Sequence, residues 1–378
     1  MRKQEDQVSV VSLGGEWSYR WLIGLVNFLL SFAIQSSIIF IPLLGEQLGA
    51  SDFQVGLIGS FYGVAFLSSS LFSGWKSDTL GRLVFVRWGL LISSAAFALQ
   101  LVAHSVLILM AVRAAVGFSL GIATAATIAY AFESGVNMGK YSSYGSLGWI
   151  FGALAAALIG EIEMLFWLSF IFCLLAFLLS LAFQKAPSYN FPNPPNLWHV
   201  LRRDYRIYLA VFLRHLGATA VWIILPLYLT SLGMDKFWIG FLWAVNFVVQ
   251  FLVMRELERF SEYKTFFYGQ LLSVLVFAAF AFAASRLYLV VIMILLGVSW
   301  SCLYVGALLI VLRSGEEKGT AGGIFQSTLN LCNSVGPLLG GLIAQGWGYR
   351  GVMYFAAALG LAGMFVAVNR KQTPRASP

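Results

Sequence analysis

The sequence predicts an all-α membrane protein with twelve transmembrane helices in two pseudo-symmetric six-helix bundles. Three observations carry that expectation: composition, the length of the apolar runs, and an internal repeat. Of the 378 residues, 60% are hydrophobic and 11% charged, against roughly 25% charged in soluble domains. A soluble core cannot hide that much apolar surface, so the bilayer must be the solvent. Continuous apolar runs rather than alternating ten-residue segments exclude a β-barrel.

A spanning helix needs ~20 mostly apolar residues. Twelve runs meet this, at about 21–44, 53–75, 83–103, 107–131, 140–160, 163–184, 206–231, 237–254, 264–284, 287–312, 320–345 and 349–369. The first twenty residues are polar and the first run is too long for a cleavable signal peptide. With twelve spans and an internal N-terminus, 19 of the 24 Lys and Arg fall on one side, and only Lys236, Arg286 and Arg350 on the other. This asymmetry explains the net charge of +8 as orientation rather than nucleic-acid binding, and places both termini in the cytoplasm of a multi-pass cell-membrane protein.

Four of the nine prolines crowd into "KAPSYNFPNPPN", 185–196, which reads as an extended linker. The expected organisation is a bundle over 1–184, a cytoplasmic linker over 185–205 and a second bundle over 206–378. "PLLGEQLGASDFQVG" from Pro42 matches "PLYLTSLGMDKFWIG" from Pro226, an offset of 184 residues. Ser134, Gly135 and Gly139 recur as Ser314, Gly315 and Gly319, an offset of 180, and Asp78 meets Glu258 at the same offset. The ordered set points to duplication. Cys173, Cys302 and Cys332 each stand alone in an apolar run, and His104, His199 and His215 are scattered, so no disulfide, metal site or cofactor is expected.

Between the second and third runs lies "GWKSDTLGRL", an acid and two bases in an otherwise greasy hairpin. Gly74-x3-Asp78-x2-Gly81-Arg82 at this place resembles the signature loop of the major facilitator superfamily. Arg113-x3-Gly117 on the fourth run resembles a second, weaker family motif. Gly145, Gly148 and Gly152 carry half of the antiporter-associated pattern of the fifth helix, without its proline, while "GPLLGG" at Gly336–Gly341 has it. The resemblance covers nearly the whole chain. It implies a monomeric secondary transporter working by alternating access, with helices 1, 4, 7 and 10 around a central cavity.

The resemblance also implies a cytoplasmic gate at Gly74, Asp78, Gly81, Arg82, Glu133, Lys140 and Glu258. Glu133-x6-Lys140 resembles the acid–base spacing of sugar-porter loops, with Lys where Arg is usual. In the second half Met254 and Ser261 replace the loop glycines beside Glu258. A carboxylate reaching a helix N-terminus is worth ~0.3–1 kcal/mol exposed and up to ~2 partly buried. That biases two conformations without holding a fold. A solvated turn supplying positive charge is the plainer alternative.

Charges inside spans cost ~2.5–3.5 kcal/mol at a helix centre, so Arg113 and Arg214, the latter beside His215, are the first candidates for a substrate site. Snorkelling toward the nearer water is the competing reading. Gln35, Asn246, Gln250, Trp300 and Asn330 complete the set. Asn246 and Gln250 share a helix face, as do Trp300 and Tyr304; Gln326, Asn330, Asn333 and Ser334 form a polar stripe. No acid lies near the centre of any span, which favours a small organic solute that is anionic or neutral and amphipathic. The alternative is proton-coupled multidrug efflux, with His215 as the titratable candidate; a transport-dead membrane sensor is more distant. Gly117-Phe118-Ser119-Leu120-Gly121 matches the hydrolase pattern G-x-S-x-G but lies mid-helix, where it reads as a packing face, so no enzyme is expected. "GVNMGKYS" is too short for a phosphate loop.

Overall fold

The computed structural model describes residues 13–136, 138–184, 197–283, 285–315 and 318–368; the side chains at 13–20, 74–75, 78–79, 138–139, 197, 258, 318–320 and 368 lie outside that description. The described residues hold helices and turns and no strand. The membrane helices are α1 (Leu13–Ile38), α2 (Asp52–Leu80), α3 (Arg82–Leu99), α4 (Val106–Glu133), α5 (Met138–Ile159), α6 (Ile162–Ser180), α7 (Leu197–Ser231), α8 (Lys236–Met254), α9 (Glu262–Phe280) and α10 (Arg286–Arg313). One further helical stretch, Lys318–Val368, is broken at Gly348 (φ 72°, ψ 173°) into α11 (318–347) and α12 (349–368). Its apolar part runs 47 residues, long enough at ~1.5 Å per residue to cross a bilayer twice.

Local chemistry sets the element ends. The first span stops at Ile38 and resumes as Ile41–Gln47, because Pro42 has no N–H to continue the ladder. Ser51 closes a capping box with Gln54 at the start of α2, and Asp235 caps α8 through the Trp238 N–H. Ser105 and Ser285 cap α4 and α10 in the same way. These caps fall at the repeat offsets of 184 and 180 seen in the sequence. Two expectations change in detail. The hairpin after α2 shrinks to Gly81 alone (φ 94°), because α2 runs on through Leu80. Residues 197–205, expected as linker, are helical; the helix is bent at Asp204 (φ −117°, ψ 19°), whose buried carboxylate accepts from Arg203 Nε at 3.1 Å and from Ser314 Oγ.

Small residues let the helices approach. Gly117 and Gly121 of α4 seat on the backbone of Tyr62 and Phe66 in α2, while Gly148 and Gly152 of α5 seat on Phe28 and Phe32 of α1. The first-half helices and the second-half helices meet along α2 with α11 and along α5 with α8. The two crossings are related by the repeat. A Cβ on Gly56 would stand 2.5 Å from the Pro337 carbonyl oxygen and 3.0 Å from Gly341 Cα. A Cβ on Gly240, 184 residues on, would stand 2.6 Å from Ala157 N.

The apolar core divides unevenly. One cluster contains residues of both halves, among them Phe40, Ile58, Ala156, Leu225, Leu242 and Val352. It lies toward the membrane face opposite the N-terminus. Toward the N-terminal face there are two separate clusters, one from each half: Val86, Tyr130 and Phe183 belong to the first, and Val200, Tyr208 and Val311 to the second. α2 and α11 touch at 56–63 and 333–341; further along α11, Gly323 has open space around it and Gln326 is exposed. The halves are therefore closed at one face, and a cleft opens at the face that carries the basic loops.

Candidate functional site

Arg214 of α7 has no exposed surface. Its Nε donates to Ser273 Oγ of α9 at 2.8 Å, and its guanidinium lies 5.2 Å from the ring centres of both Phe277 and Trp300. Nη1 and Nη2 are buried with no hydrogen-bond partner. His215 stacks on Trp300 of α10 at 4.9 Å and meets Trp222 edge-on at 5.2 Å. Neighbours on a helix point ~100° apart, yet both side chains reach the one Trp300 ring. His215 Nδ1 and Trp222 Nε1 are also buried and unpartnered. Tyr304 continues the aromatic row, 5.4 Å from Trp300 and 5.4 Å from Phe325 of α11.

The first half has a second buried guanidinium. Arg113 is 2% exposed, donates from Nη1 to Gln100 Oε1 at 3.0 Å and sits 4.5 Å over the Tyr62 ring. Neither arginine reaches water within the folded chain; neighbouring helices hold both. At the repeat position in the second half, Asn246 donates to the Met293 carbonyl at 3.0 Å and accepts from Gln250 at 2.6 Å. Gln35 is buried in α1, close to Gly152 of α5. Asn330 is half-buried, and its carbonyl accepts from Ser334. Arg214, His215 and Trp300 thus form one group. Arg113, Gln35, Asn246 with Gln250, and Asn330 stand in other places, so the predicted set is spread over both halves.

At the face of the basic loops, Arg82 Nε donates to Glu133 Oε1 at 2.9 Å, and Arg82 Nη1 to Ser77 Oγ at 2.6 Å. Glu133 therefore takes a partner from the α2–α3 turn, and Lys140 is exposed on α5. In the second half Arg313 Nη1 donates to Glu262 Oε2 at 3.2 Å. These two pairs occupy equivalent positions at an offset of 180 with their charges exchanged. Gly74, Asp78 and Glu258 lie outside the described side chains. At the opposite face the halves are joined by polar contacts: the Phe53 N–H donates to Gln345 Oε1 at 3.2 Å, and Tyr349 OH to Asp52 Oδ1 at 3.2 Å.

Sequence reasoning missed Tyr62, Gln100, Trp222, Ser273, Asp204, Glu262 and the Asp52–Tyr349 contact. Each has a partner between 13 and 297 positions away, and most stand on helix faces that read as packing. Only the Ser51-x2-Gln54 capping pattern, which fixes where Asp52 stands, was visible as a local signal.

Two halves of repeated spans, closed against each other at one face and parted at the other around buried polar groups, define a secondary transporter. The chain belongs to the Major Facilitator Superfamily, whose model matches residues 23–331 and 207–378. It is 23% identical to the quinolone resistance protein NorA of Staphylococcus aureus (strain MSSA476), covering 91% of this chain and 94% of that one. It is 25% identical to the multidrug resistance protein MdtG of Citrobacter koseri, covering 85% and 86%. Among solved structures, the nucleoside transporter NupG superposes with a TM-score of 0.76 at 13% identity, over 93% of this chain and 100% of that one. The human organic anion transporter MFSD10 superposes at 0.69 and 20%, over 93% and 99%.

Proposed function

We propose that the protein moves a small organic solute across the cell membrane as a monomer by alternating access, the two halves, 1–184 and 206–378, rocking about the 185–205 connection. The observation that carries this is the division of the core into one shared cluster and two separate ones. Such a division describes one end state of a rocking pair, with the polar Asp52–Tyr349 and Phe53–Gln345 contacts as the outer closure. The basic loops make the open face cytoplasmic by the positive-inside asymmetry. Gly74, Asp78, Gly81 and Arg82, with Glu133, Lys140 and Glu258, then serve the opposite closure.

Buried arginines without an in-span acid favour an anionic or neutral amphipathic substrate, met by Gln35, Arg113, Arg214, His215, Asn246, Gln250, Trp300 and Asn330. The second reading is proton-coupled multidrug efflux, favoured by the resistance proteins that match most of the chain. His215 is the titratable group available to it.

The test uses Asp52→Cys with Gln345→Cys in a background lacking the native cysteines, reconstituted in vesicles and assayed with labelled benzoate and tetraphenylphosphonium. Oxidative cross-linking should bring flux to background, and reduction should restore it. Flux that survives the cross-link overturns alternating access. Tetraphenylphosphonium flux driven by a proton gradient, without benzoate flux, selects the second reading.

A further inference from the structure

We infer that Arg214, His215, Trp222 and Trp300 form a binding pocket for the carboxylate of a planar aromatic acid. The proposal deepens the transporter reading above and rests on it. A guanidinium has five N–H donors in a planar fork. In Arg214 only Nε is used, by Ser273, and the Nη1–Nη2 edge is left bare inside the protein. Two parallel N–H donors at that edge are the geometric complement of two carboxylate oxygens.

Arg214 has no acidic partner among the ion pairs of the described residues. The rings of Phe277 and Trp300 at 5.2 Å offset part of its charge but supply no acceptor. A buried cation without a counter-charge is a burden to the fold, and an apolar residue of similar volume would pack there at no such cost. The missing element is an anion.

The surroundings select what kind. Trp222 Nε1 and His215 Nδ1 add two unpartnered polar atoms on rings that meet Trp300, the ring that the guanidinium also faces. His215 stacks on Trp300 at 4.9 Å, and Trp222 stands edge-on to both at 5.2 and 6.1 Å, so the three rings form a packed aromatic wall against which another flat ring can lie. Trp222 and Trp300 are the members of the group with exposed surface, so an occupant arrives across their rings. A cation is opposed by the guanidinium, and a small inorganic anion leaves the aromatic walls unused.

The experiment is binding to the purified full-length protein in chloride-free buffer, read by tryptophan fluorescence and by thermal shift. The probes are 2-naphthoate, 2-naphthylmethylammonium and chloride. Naphthoate should bind saturably and raise the unfolding midpoint, whereas the ammonium analogue and chloride should not. Arg214→Gln should weaken naphthoate roughly tenfold to a hundredfold, the range of one charge-assisted hydrogen bond. Arg214→Lys should fall between, because it keeps the charge and loses the fork. Arg286→Gln, at the far surface, should match the wild type. Equal stabilisation by chloride, preference for the ammonium compound, or unchanged naphthoate affinity in Arg214→Gln overturns the proposal. If Arg214→Gln does not fold, the wild-type comparison of the three probes decides. Naphthoate binding without flux in vesicles keeps this pocket and removes the transporter reading; flux of other solutes without naphthoate binding removes the pocket alone.

Discussion

Arg82 and Glu133 tie the start of α3 to the end of α4, and Glu262 and Arg313 do the same between α9 and α10 with the charges exchanged. The two pairs differ in how much water screens them. The Arg82 and Glu133 side chains are 16% and 12% exposed, whereas Arg313 is 50% exposed. Exposed pairs are worth ~0–1 kcal/mol, and hydrogen bonds to charged groups out of water ~1.5–3. Arg82 also donates to Ser77, so its loss removes two hydrogen bonds. Arg82→Gln should therefore lower the thermal midpoint of the purified protein clearly, and Arg313→Gln by much less. The exchange Arg82→Glu with Glu133→Arg should recover part of the loss. Equal effects of the two single changes would show that screening does not separate the pairs. Glu133 was marked by the sequence as a member of a charge network, but its partner stands 51 positions away, a separation that spacing rules for loops do not reach. Arg214 was likewise visible as a charge in a span, while Ser273, Phe277 and Trp300 around it become neighbours only when α7, α9 and α10 pack.

Helix pairs show the opposite balance. The spans were legible because each needs ~20 apolar residues wherever it packs, and the repeat that carries Gly56 into Gly240 was legible too, but only packing shows that both stand where the halves cross. What composition does not encode is how far each contact runs. α2 and α11 are tight at Gly56 and Gly341 and apart at Gly323. Overfilling a packed site costs ~1–3 kcal/mol, which shifts a two-state equilibrium about 5- to 150-fold. Gly56→Leu, pressed on the Pro337 carbonyl, should push the closed face apart. Gly323→Leu meets open space in this state and should fold normally, but hinder closure of the cleft. Alkylation of a cysteine placed at Gln326 reads both: slower in Gly56→Leu, unchanged or faster in Gly323→Leu. The reverse order would mean that these two contacts do not oppose each other across the conformational cycle.

For the whole molecule the open question is which face looks outward. The two faces differ, one closed by a shared cluster and the other parted into two, but packing alone does not say which of them looks outward. The charges do. Basic residues near span ends resist translocation, and a split of 19 against 3 is far from balance. The open cleft lies on the basic face, so orientation and conformational state are linked: if the basic face is cytoplasmic, this structure is inward-open. Glu161, in the turn between α5 and α6, is exposed at the closed face, and Arg202, ahead of the α7 bend, is exposed at the basic face. Single cysteines at these two positions, in a background without Cys173, Cys302 and Cys332, separate the faces by chemistry. In intact cells an impermeant maleimide should label Glu161→Cys and leave Arg202→Cys untouched until the membrane is permeabilised. Both positions lie outside the buried polar groups, so protein that retains flux can be labelled and the result refers to a working molecule. Labelling of Arg202→Cys alone from outside would invert the orientation, and with it the assignment of the Asp52–Tyr349 contact to the outer closure. Labelling of both would mean that the chain inserts in two directions, against the orientation that the charge asymmetry favours.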